Sequence, residues 1–445
     1  MKKLRVLLIT VAVIAVLGLG FLAYLVFGPG AMDFAGGKRM ALSASAGASP
    51  SGVPAELRAA TELERGEYLA HAADCLVCHT AKGGTAYAGG RGFVLPFGTL
   101  YSTNITPDKE TGIGNYTDED FLNAMHKGVG RGGVKLYPAM PYPSYTYMTR
   151  DDALAIKAYL FSLPPLSVKP PENTLAFPFN QRWLMGIWAA LFNPDKRFEL
   201  RPERSPEWNR GAYLVEAMGH CGECHTPRTL AFSLNHREKF AGAIQAGWTA
   251  YNITPDRAAG VGAWSDAELR DYLSTGHAAG RGTASGPMGE AVDESLSHLK
   301  PSDITAMVVY LRSVSAAGST DLPTPKSQPA SASFADDAAG NGRGRAVYEG
   351  ACAGCHGWSG VSPVLGPATL VGTRAVNDPS AVNVAQVIIR GGERHAADES
   401  VYMPGFGDTY SDSEIASVAN YVTARFGVRG STLDPAAVDK LRKAD

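Results

Sequence analysis

The sequence has no cysteine left over for an ordinary structural role. Its 445 residues include only six cysteines, and all six lie in three short motifs, so none remains for a disulfide or an isolated buried thiol. Charge is also sparse, at 19% charged residues and a formal net charge of −2, which argues against nucleic acid as a partner. No phosphate-binding loop, dinucleotide fingerprint or flavin motif is present. Nothing in the sequence therefore indicates a pocket for an organic substrate.

The three cysteine motifs share one form, in which two cysteines separated by two residues are followed directly by histidine. In this arrangement the two thiols can add across the vinyl groups of haem, while the histidine reaches the iron. We therefore expect three covalently bound haem c groups. The first, second and third motifs are Cys75, Cys78 and His79; Cys221, Cys224 and His225; and Cys352, Cys355 and His356.

A single motif of this form has two other interpretations, a redox dithiol or half of a zinc site. Zinc would need further ligands at knuckle spacing, and a redox dithiol would need a βαβ context. The sequence shows neither. Three complete copies therefore favour haem.

A methionine beside a proline follows each motif, shortly before the last predicted helix of its region. Methionine as second axial ligand closes the iron to other molecules and raises its potential for electron transfer. We therefore predict that Met140, Met288 and Met403 bind iron. If one of them does not, an open iron would favour a haem peroxidase or reductase instead.

One long apolar run, residues 6–27, follows the basic residues Lys2, Lys3 and Arg5. A bilayer-spanning helix needs ~20 apolar residues, whereas the apolar part of a signal peptide has ~7–15, so a retained anchor is favoured over a long cleaved signal. Basic residues ahead of the run keep the N-terminus in the cytoplasm. We expect a chain anchored by its N-terminus in the bacterial inner membrane, with its haem domains in the periplasm.

Residues 59–165 and 206–316 form an internal repeat, in which an Asn-Ile-Thr-Pro-Asp segment begins at Asn104 and again at Asn252. The third copy is shorter and lacks this segment. Helical patterns dominate and no run is convincing as a strand. The expected fold class is therefore mainly α, with three tandem cytochrome c domains and an N-terminal transmembrane helix.

The expected boundaries follow from composition and from the repeat. An apolar aromatic stretch at 177–198 is too short to span a bilayer; inter-domain packing and a surface for a partner subunit or the membrane are both open. The expected regions are 1–30, membrane anchor or signal; 31–58, flexible linker; 59–172, first cytochrome c domain; 173–205, apolar inter-domain segment; 206–318, second domain; 319–338, linker; 339–430, third domain; and 431–445, charged tail.

Residues 97–108 and 136–142 carry the most specific resemblance, which extends over roughly 60–430. The chain resembles the membrane-associated three-haem cytochrome c subunit of periplasmic dehydrogenases such as gluconate 2-dehydrogenase and quinoprotein alcohol dehydrogenase. The resemblance implies the same three methionine ligands, a catalytic partner subunit with flavin or quinone, and ubiquinone or a terminal oxidase as acceptor. Similar cytochromes also serve molybdenum hydroxylases, so the donor stays open. We expect an electron relay with no catalytic residue of its own; a cytochrome subunit of an oxidase is a further alternative.

Overall fold

The computed structural model describes residues 2–27, 54–318, 322–330, 341–396 and 399–444. Helix predominates in these ranges, as expected, and the strands pair only as four two-stranded antiparallel hairpins. No strand in them exceeds five residues, which is too short for a periodic pattern to show in the sequence. The expected linker at 31–58 lies outside the described residues except for 54–58, and so does much of 319–338.

The helices are α1 Lys2–Phe27, α2 Glu62–Ala72, α3 Cys75–Cys78, α4 Asp118–Lys127, α5 Tyr142–Tyr145, α6 Arg150–Ser162, α7 Trp183–Phe192, α8 Pro206–Tyr213, α9 Gly222–His225, α10 Asp266–Thr275, α11 Gly286–Glu294, α12 Pro301–Ser313, α13 Gly342–Ala351, α14 Ala353–His356, α15 Val382–Arg390, α16 Asp412–Phe426 and α17 Pro435–Lys443. The hairpins pair β1 Gly92–Leu95 with β2 Gly98–Tyr101, β3 Ala243–Gln245 with β4 Trp248–Ala250, β5 His277–Ala278 with β6 Gly282–Thr283, and β7 Gly392–Ala396 with β8 Glu399–Met403.

Local sequence fixes where several helices begin. In α2, α4, α10 and α16 the residue before the helix is threonine or serine, and its hydroxyl accepts from the backbone N–H three residues on. The acidic side chain at that position accepts in return from the capping residue, which satisfies two free donors at once. The four capping boxes are Thr61 with Glu64, Thr117 with Asp120, Ser265 with Glu268, and Ser411 with Glu414.

Three helix pairs cross in the same way: α2 on α6, α8 on α12, and α13 on α16. In each pair a glycine of the first helix faces a backbone carbonyl of the second, and an added β-carbon would overlap that carbonyl. Glycine is therefore required for the close approach of the two helices. The facing residues are Gly66 and Ala155, Gly211 and Ala306, and Gly344 and Ser417.

Within the described residues, buried side chains form two separate cores. One core draws on residues from Leu57 to Val314, and it joins the first two helix pairs without a break. The other draws on residues from Ala330 to Leu441 and surrounds the third pair. The regions expected as first and second domains thus share their apolar interior, whereas the third has its own.

The segment expected as a charged tail contains helix α17, which packs on α15 and α16. Val438 is fully buried and Leu441 partly buried against the second core. Arg442 pairs with Asp412 and donates to the carbonyl of Tyr410 at 2.7 Å. The two apolar residues are three positions apart, so one face of a mostly charged helix is enough to dock it.

Helix α1 is the element predicted from the apolar run at the N-terminus. Its window Lys3–Gly20 has a mean hydropathy of 2.1 and no buried residue. Length and composition suffice to cross a membrane, and a signal sequence would meet the same test.

Candidate haem-binding sites

Each Cys-x-x-Cys-His motif lies on a short helix directly after the first helix of a crossing pair. These short helices are α3, α9 and α14, which follow α2, α8 and α13. The second motif lies one residue farther from its crossing glycine than the first does. A π turn at Leu214–Met218 accommodates the additional residue. Cys221 therefore follows its helix pair in the same way as Cys75.

The motif histidines all make the same hydrogen bond, from ring nitrogen Nδ1 to a backbone carbonyl. A carbonyl oxygen only accepts, so Nδ1 must carry the proton and donate. The lone pair is then on Nε2, which is the tautomer a metal-bound imidazole needs. The pairs are His79 with Thr103 at 2.7 Å, His225 with Tyr251 at 2.6 Å, and His356 with Ala368 at 2.6 Å.

The Asn-Ile-Thr-Pro-Asp repeat explains two of these carbonyl acceptors. The Asn104 side-chain oxygen accepts from the backbone N–H of Thr106 at 2.9 Å and from its hydroxyl at 2.8 Å. Asn252 binds Thr254 in the same way, at 2.8 and 2.7 Å. Both asparagines are buried, and each directly follows the residue whose carbonyl the histidine contacts. The repeat therefore fixes the loop that orients the imidazole.

Two glycines with left-handed backbone bring that loop close to the histidine. Gly89 has φ of 74° and donates its N–H to the carbonyl of His79 at 2.8 Å. Gly242 has φ of 94° and donates to the carbonyl of His225 at 2.8 Å. A β-carbon at Gly89 would overlap the backbone of Thr103. Both the conformation and the space therefore favour glycine.

The thiols fit covalent haem attachment better than the two alternatives. No disulfide joins any of the six cysteines. Burial raises the pKa of Cys75 and Cys78 to about 12, whereas a redox dithiol needs a lowered pKa. Within the described residues no group of three or more His, Cys, Asp or Glu side chains could hold a metal ion, so no ligand set for zinc accompanies these thiols.

The predicted methionine ligands lie on three different kinds of element. Met140 is in a turn just before α5, Met288 is in the first turn of α11, and Met403 ends strand β8. All three are half-buried. Met140 and Met288 pack against the first core, as do Cys75 and Cys221. Met288 is helical because Pro287 occupies the first turn of α11, where proline suits a helix.

Helix α5 links the first motif to the second. The Tyr145 hydroxyl donates to the carbonyl of Ala73, and its ring lies 5.4 Å from the ring of His220. Ser144 donates to a carboxylate oxygen of Glu223 at 3.0 Å. These partners flank or belong to the two motifs, so the first two sites are neighbours.

Two hydrogen bonds beside the orienting carbonyls connect the second and third sites. The Thr283 hydroxyl donates to the carbonyl of Pro367 at 3.1 Å, directly before the carbonyl that orients the third histidine. Tyr251, whose carbonyl orients the second histidine, donates its hydroxyl to Asp378 at 3.1 Å. The three sites therefore form a connected series.

Two arginines that the sequence did not single out hold the motif backbone. Arg91 donates to the carbonyl of Val77 at 3.0 Å, and Arg228 donates to the carbonyl of Glu223 at 3.0 Å. Each acceptor is the third residue of its motif. The arginines lie at unequal distances along the chain from their motifs, so the repeat does not reveal that they are equivalent.

Comparison with protein families agrees with this geometry. A family model described as cytochrome c matches residues 63–164. A second, described as cytochrome C oxidase, cbb3-type, subunit III, matches residues 339–422. The two matches contain the first and the third motif.

Similar proteins extend the match over most of the chain. The fructose dehydrogenase cytochrome subunit of Gluconobacter japonicus is 38% identical over 85% of this chain and 82% of its own length. The gluconate 2-dehydrogenase cytochrome c subunit of Pantoea cypripedii is 38% identical over 82% of this chain and 86% of its own. A nicotinate dehydrogenase subunit of Pseudomonas putida is 42% identical over 82% of this chain, which spans only 30% of that protein. The chain therefore belongs to the family of cytochrome c subunits of dehydrogenase complexes and carries haem c.

Proposed function

We propose that this chain relays electrons through three covalently bound haem c groups, from a periplasmic dehydrogenase to ubiquinone or the respiratory chain. The strongest support is the shared histidine hydrogen bond, because it leaves Nε2 available for iron at all three motifs. The cysteine pairs would hold the haems through thioether bonds. The proposed iron ligands are His79 and Met140, His225 and Met288, and His356 and Met403.

Reversible one-electron exchange is what haem iron supplies at these sites. The protein's part is to orient each imidazole, to close the second axial position with methionine, and to keep the sites close together. The contacts of Tyr145 and Ser144 support exchange between the first two sites. The contact of Thr283 with Pro367 supports exchange onward to the third.

The proposed donor is a catalytic dehydrogenase subunit, because the similar proteins are cytochrome subunits of dehydrogenase complexes. We propose a partner that oxidises alcohols, sugar acids or aldehydes with flavin or quinone; the similar subunits named for fructose and gluconate dehydrogenases favour a sugar or sugar acid among these. A second candidate donor is a molybdenum hydroxylase that acts on an N-heterocycle. It is favoured by the 42% identity with the nicotinate dehydrogenase subunit of Pseudomonas putida.

The proposed location is the periplasmic face of the bacterial inner membrane, with α1 retained as the anchor. Purification from membranes in mild detergent tests the relay and the location together. We expect three haems per chain by pyridine haemochrome analysis, an N-terminus that still includes α1, and a dehydrogenase subunit whose substrate reduces the haems. Fewer than three haems, or a chain that comes away alone and reacts with peroxide, would contradict the proposal.

Carbon monoxide tests the methionine ligands, because it binds ferrous haem only where the second axial position is open. The reduced protein should bind none, and Met288→Ala should bind one per chain. Met185→Ala is the matched control, since Met185 is a half-buried methionine of α7 with no proposed ligand role. Carbon monoxide binding by the unaltered protein would instead support the haem peroxidase or reductase.

A further inference from the structure

Helix α7 presents an apolar face that the described part of the protein leaves uncovered. None of its ten residues is charged and none is buried. Trp183, Ile187 and Ala190 are exposed at spacings of one and two helical turns, with Trp183 62% and Ile187 53% accessible. A helix at a protein–water surface normally turns polar residues outward. An outward apolar face of this kind marks a site of interaction.

Contacts of Trp188 and Gly186 hold α7 against the rest of the protein. The Trp188 indole N–H donates to the carbonyl of Ala231 at 2.7 Å, and its ring meets Tyr142 edge-on at 6.1 Å between centroids. The aliphatic stem of Lys135 lies against Gly186. The exposed face is therefore held in place by the fold.

The apolar surface continues into the segment before the helix. Phe177 is 78% exposed and Phe179 is 37% exposed. Phe179 stacks on Phe97 at 3.8 Å between centroids, which anchors the segment beside α7. We call Phe177 and the exposed face of α7 the α7 patch.

The α7 patch lies close to the predicted membrane anchor, because α1 contacts α7. A bilayer that holds α1 would therefore reach α7 as well. Ten helical residues extend about 15 Å, half of the ~30 Å hydrocarbon core, so α7 is too short to cross. Such a helix lies along the boundary between headgroups and acyl chains.

Basic side chains around the α7 patch suit an anionic lipid surface. Arg182 directly precedes the helix, donates to the carbonyl of Lys135 at 3.0 Å and lies over the ring of Tyr137. Lys196 follows the helix and is exposed. The neighbouring carboxylate, Asp195, is paired with Arg197. Cations near an apolar face and a tryptophan at its edge are typical of interfacial helices.

We propose that the α7 patch lies in the headgroup–acyl boundary of the bilayer that holds α1, so that the protein meets the membrane at two places. The proposal goes beyond electron relay and needs no haem, but it rests on the proposed retention of α1. A second membrane contact would restrict the tilt of the haem domains and hold them near lipid-borne acceptors.

Photolabelling of the full chain in vesicles tests this proposal. The vesicles contain phosphatidylethanolamine, phosphatidylglycerol and a phospholipid with a diazirine in its acyl chain, and labelled peptides are mapped by mass spectrometry. We expect label in α1 and in α7. Trp183→Ser combined with Ile187→Ser should lower the α7 label at least tenfold and leave the α1 label unchanged. Ile244, 70% exposed in β3, serves as the apolar control and should stay unlabelled.

The other outcomes separate the possible failures. Label in α1 alone would overturn the proposal and leave the anchor intact, whereas an absence of label in α1 would show that the proposed anchoring fails. If the α7 label disappears when the dehydrogenase partner is assembled on the same vesicles, a protein surface covers α7 and the proposal is wrong. A label that persists in the assembled complex supports the bilayer.

Discussion

The junction between the first and second helix pairs differs in construction from the junction between the second and third. At the first junction, each pair inserts a tyrosine into an ion pair of the other. Asp303 accepts from Arg210 of its own pair and from Tyr68 of the first at 2.6 Å. Asp152 binds Arg65 and accepts from Tyr213 of the second pair at 2.7 Å. These groups are buried within a continuous apolar core, so the junction belongs to the fold itself.

At the second junction, the second and third regions meet through polar contacts between their surfaces. Asn383 exchanges two hydrogen bonds with the backbone of Thr249, at 2.8 and 2.9 Å. Arg394 reaches from strand β7 to the carbonyl of Gly289 at 2.7 Å and to Asp293 at 3.0 Å. Because no apolar core of the described residues runs across it, this junction resembles a docked domain interface. The third helix pair should therefore separate or unfold without the other two.

Breaking the first junction should have the largest effect. Asp303→Asn removes the carboxylate that binds the buried guanidinium of Arg210, and we expect about 3–5 kcal/mol of lost stability in urea unfolding. Haem absorbance at the first and second sites should change together, because both sit on one core. The control is Asp266→Asn, since the Asp266 side chain is 62% exposed in its pair with Arg312 and should cost less than about 1 kcal/mol. Equal losses would show that burial does not govern the junction.

Alanine at the crossing glycines separates the two cores. In Gly344→Ala the β-carbon overlaps the carbonyl of Ser417, and we expect a loss of about 3 kcal/mol confined to the third pair. Calorimetry should then show the third pair, with its one haem, unfolding at a lower temperature than the rest of the protein. Gly211→Ala should instead lower the unfolding temperature of the first core, which carries two haems. Gly350→Ala, in the same helix as Gly344 with open space around it, is the control. A single transition in Gly344→Ala would disprove separate cores.

Residue identity at short spacing indicated the three motifs and the predominance of helix, and helix does predominate in the described residues. The Asn-Ile-Thr-Pro-Asp repeat was visible at Asn104 and Asn252, but only the structure shows that these residues hold the loops whose carbonyls face His79 and His225. The signal for those acceptors was present, because each lies one residue before a repeated asparagine.

Features that depend on contacts between distant residues could not be predicted in this way. The third histidine's acceptor, Ala368, lies in no repeated segment. Helix α17 could not be predicted because most of its residues are charged or small, and only Val438 and Leu441 face the core. The shared core of the first two pairs was also hidden, because the pattern that marks a buried helix face does not state which helix covers it.

At the second junction, Arg394→Gln should loosen the docking while both cores stay folded. The change removes charged hydrogen bonds to Asp293 and Gly289, worth about 2 kcal/mol. Hydrogen exchange should rise in α11 and β7, and the potential of the second haem should shift, because Gly289 follows the proposed ligand Met288. The control is Arg343→Gln, since the Arg343 side chain is 66% exposed in its pair with Glu414. If exchange rises equally throughout the first core, the junction is not separable.

The smallest effect is expected from Tyr251→Phe, which removes one hydroxyl from the second junction and keeps the carbonyl that orients His225. The lost hydrogen bond to Asp378 is 3.1 Å long, and we expect about 1 kcal/mol with three haems still attached. Tyr68→Phe is the matched change at the first junction. The Tyr68 hydroxyl donates to Asp303 and also accepts from the backbone N–H of Lys300, so its loss removes two hydrogen bonds and should cost about twice as much. If the two variants unfold at the same urea concentration, the contrast between the junctions does not extend to their hydrogen bonds.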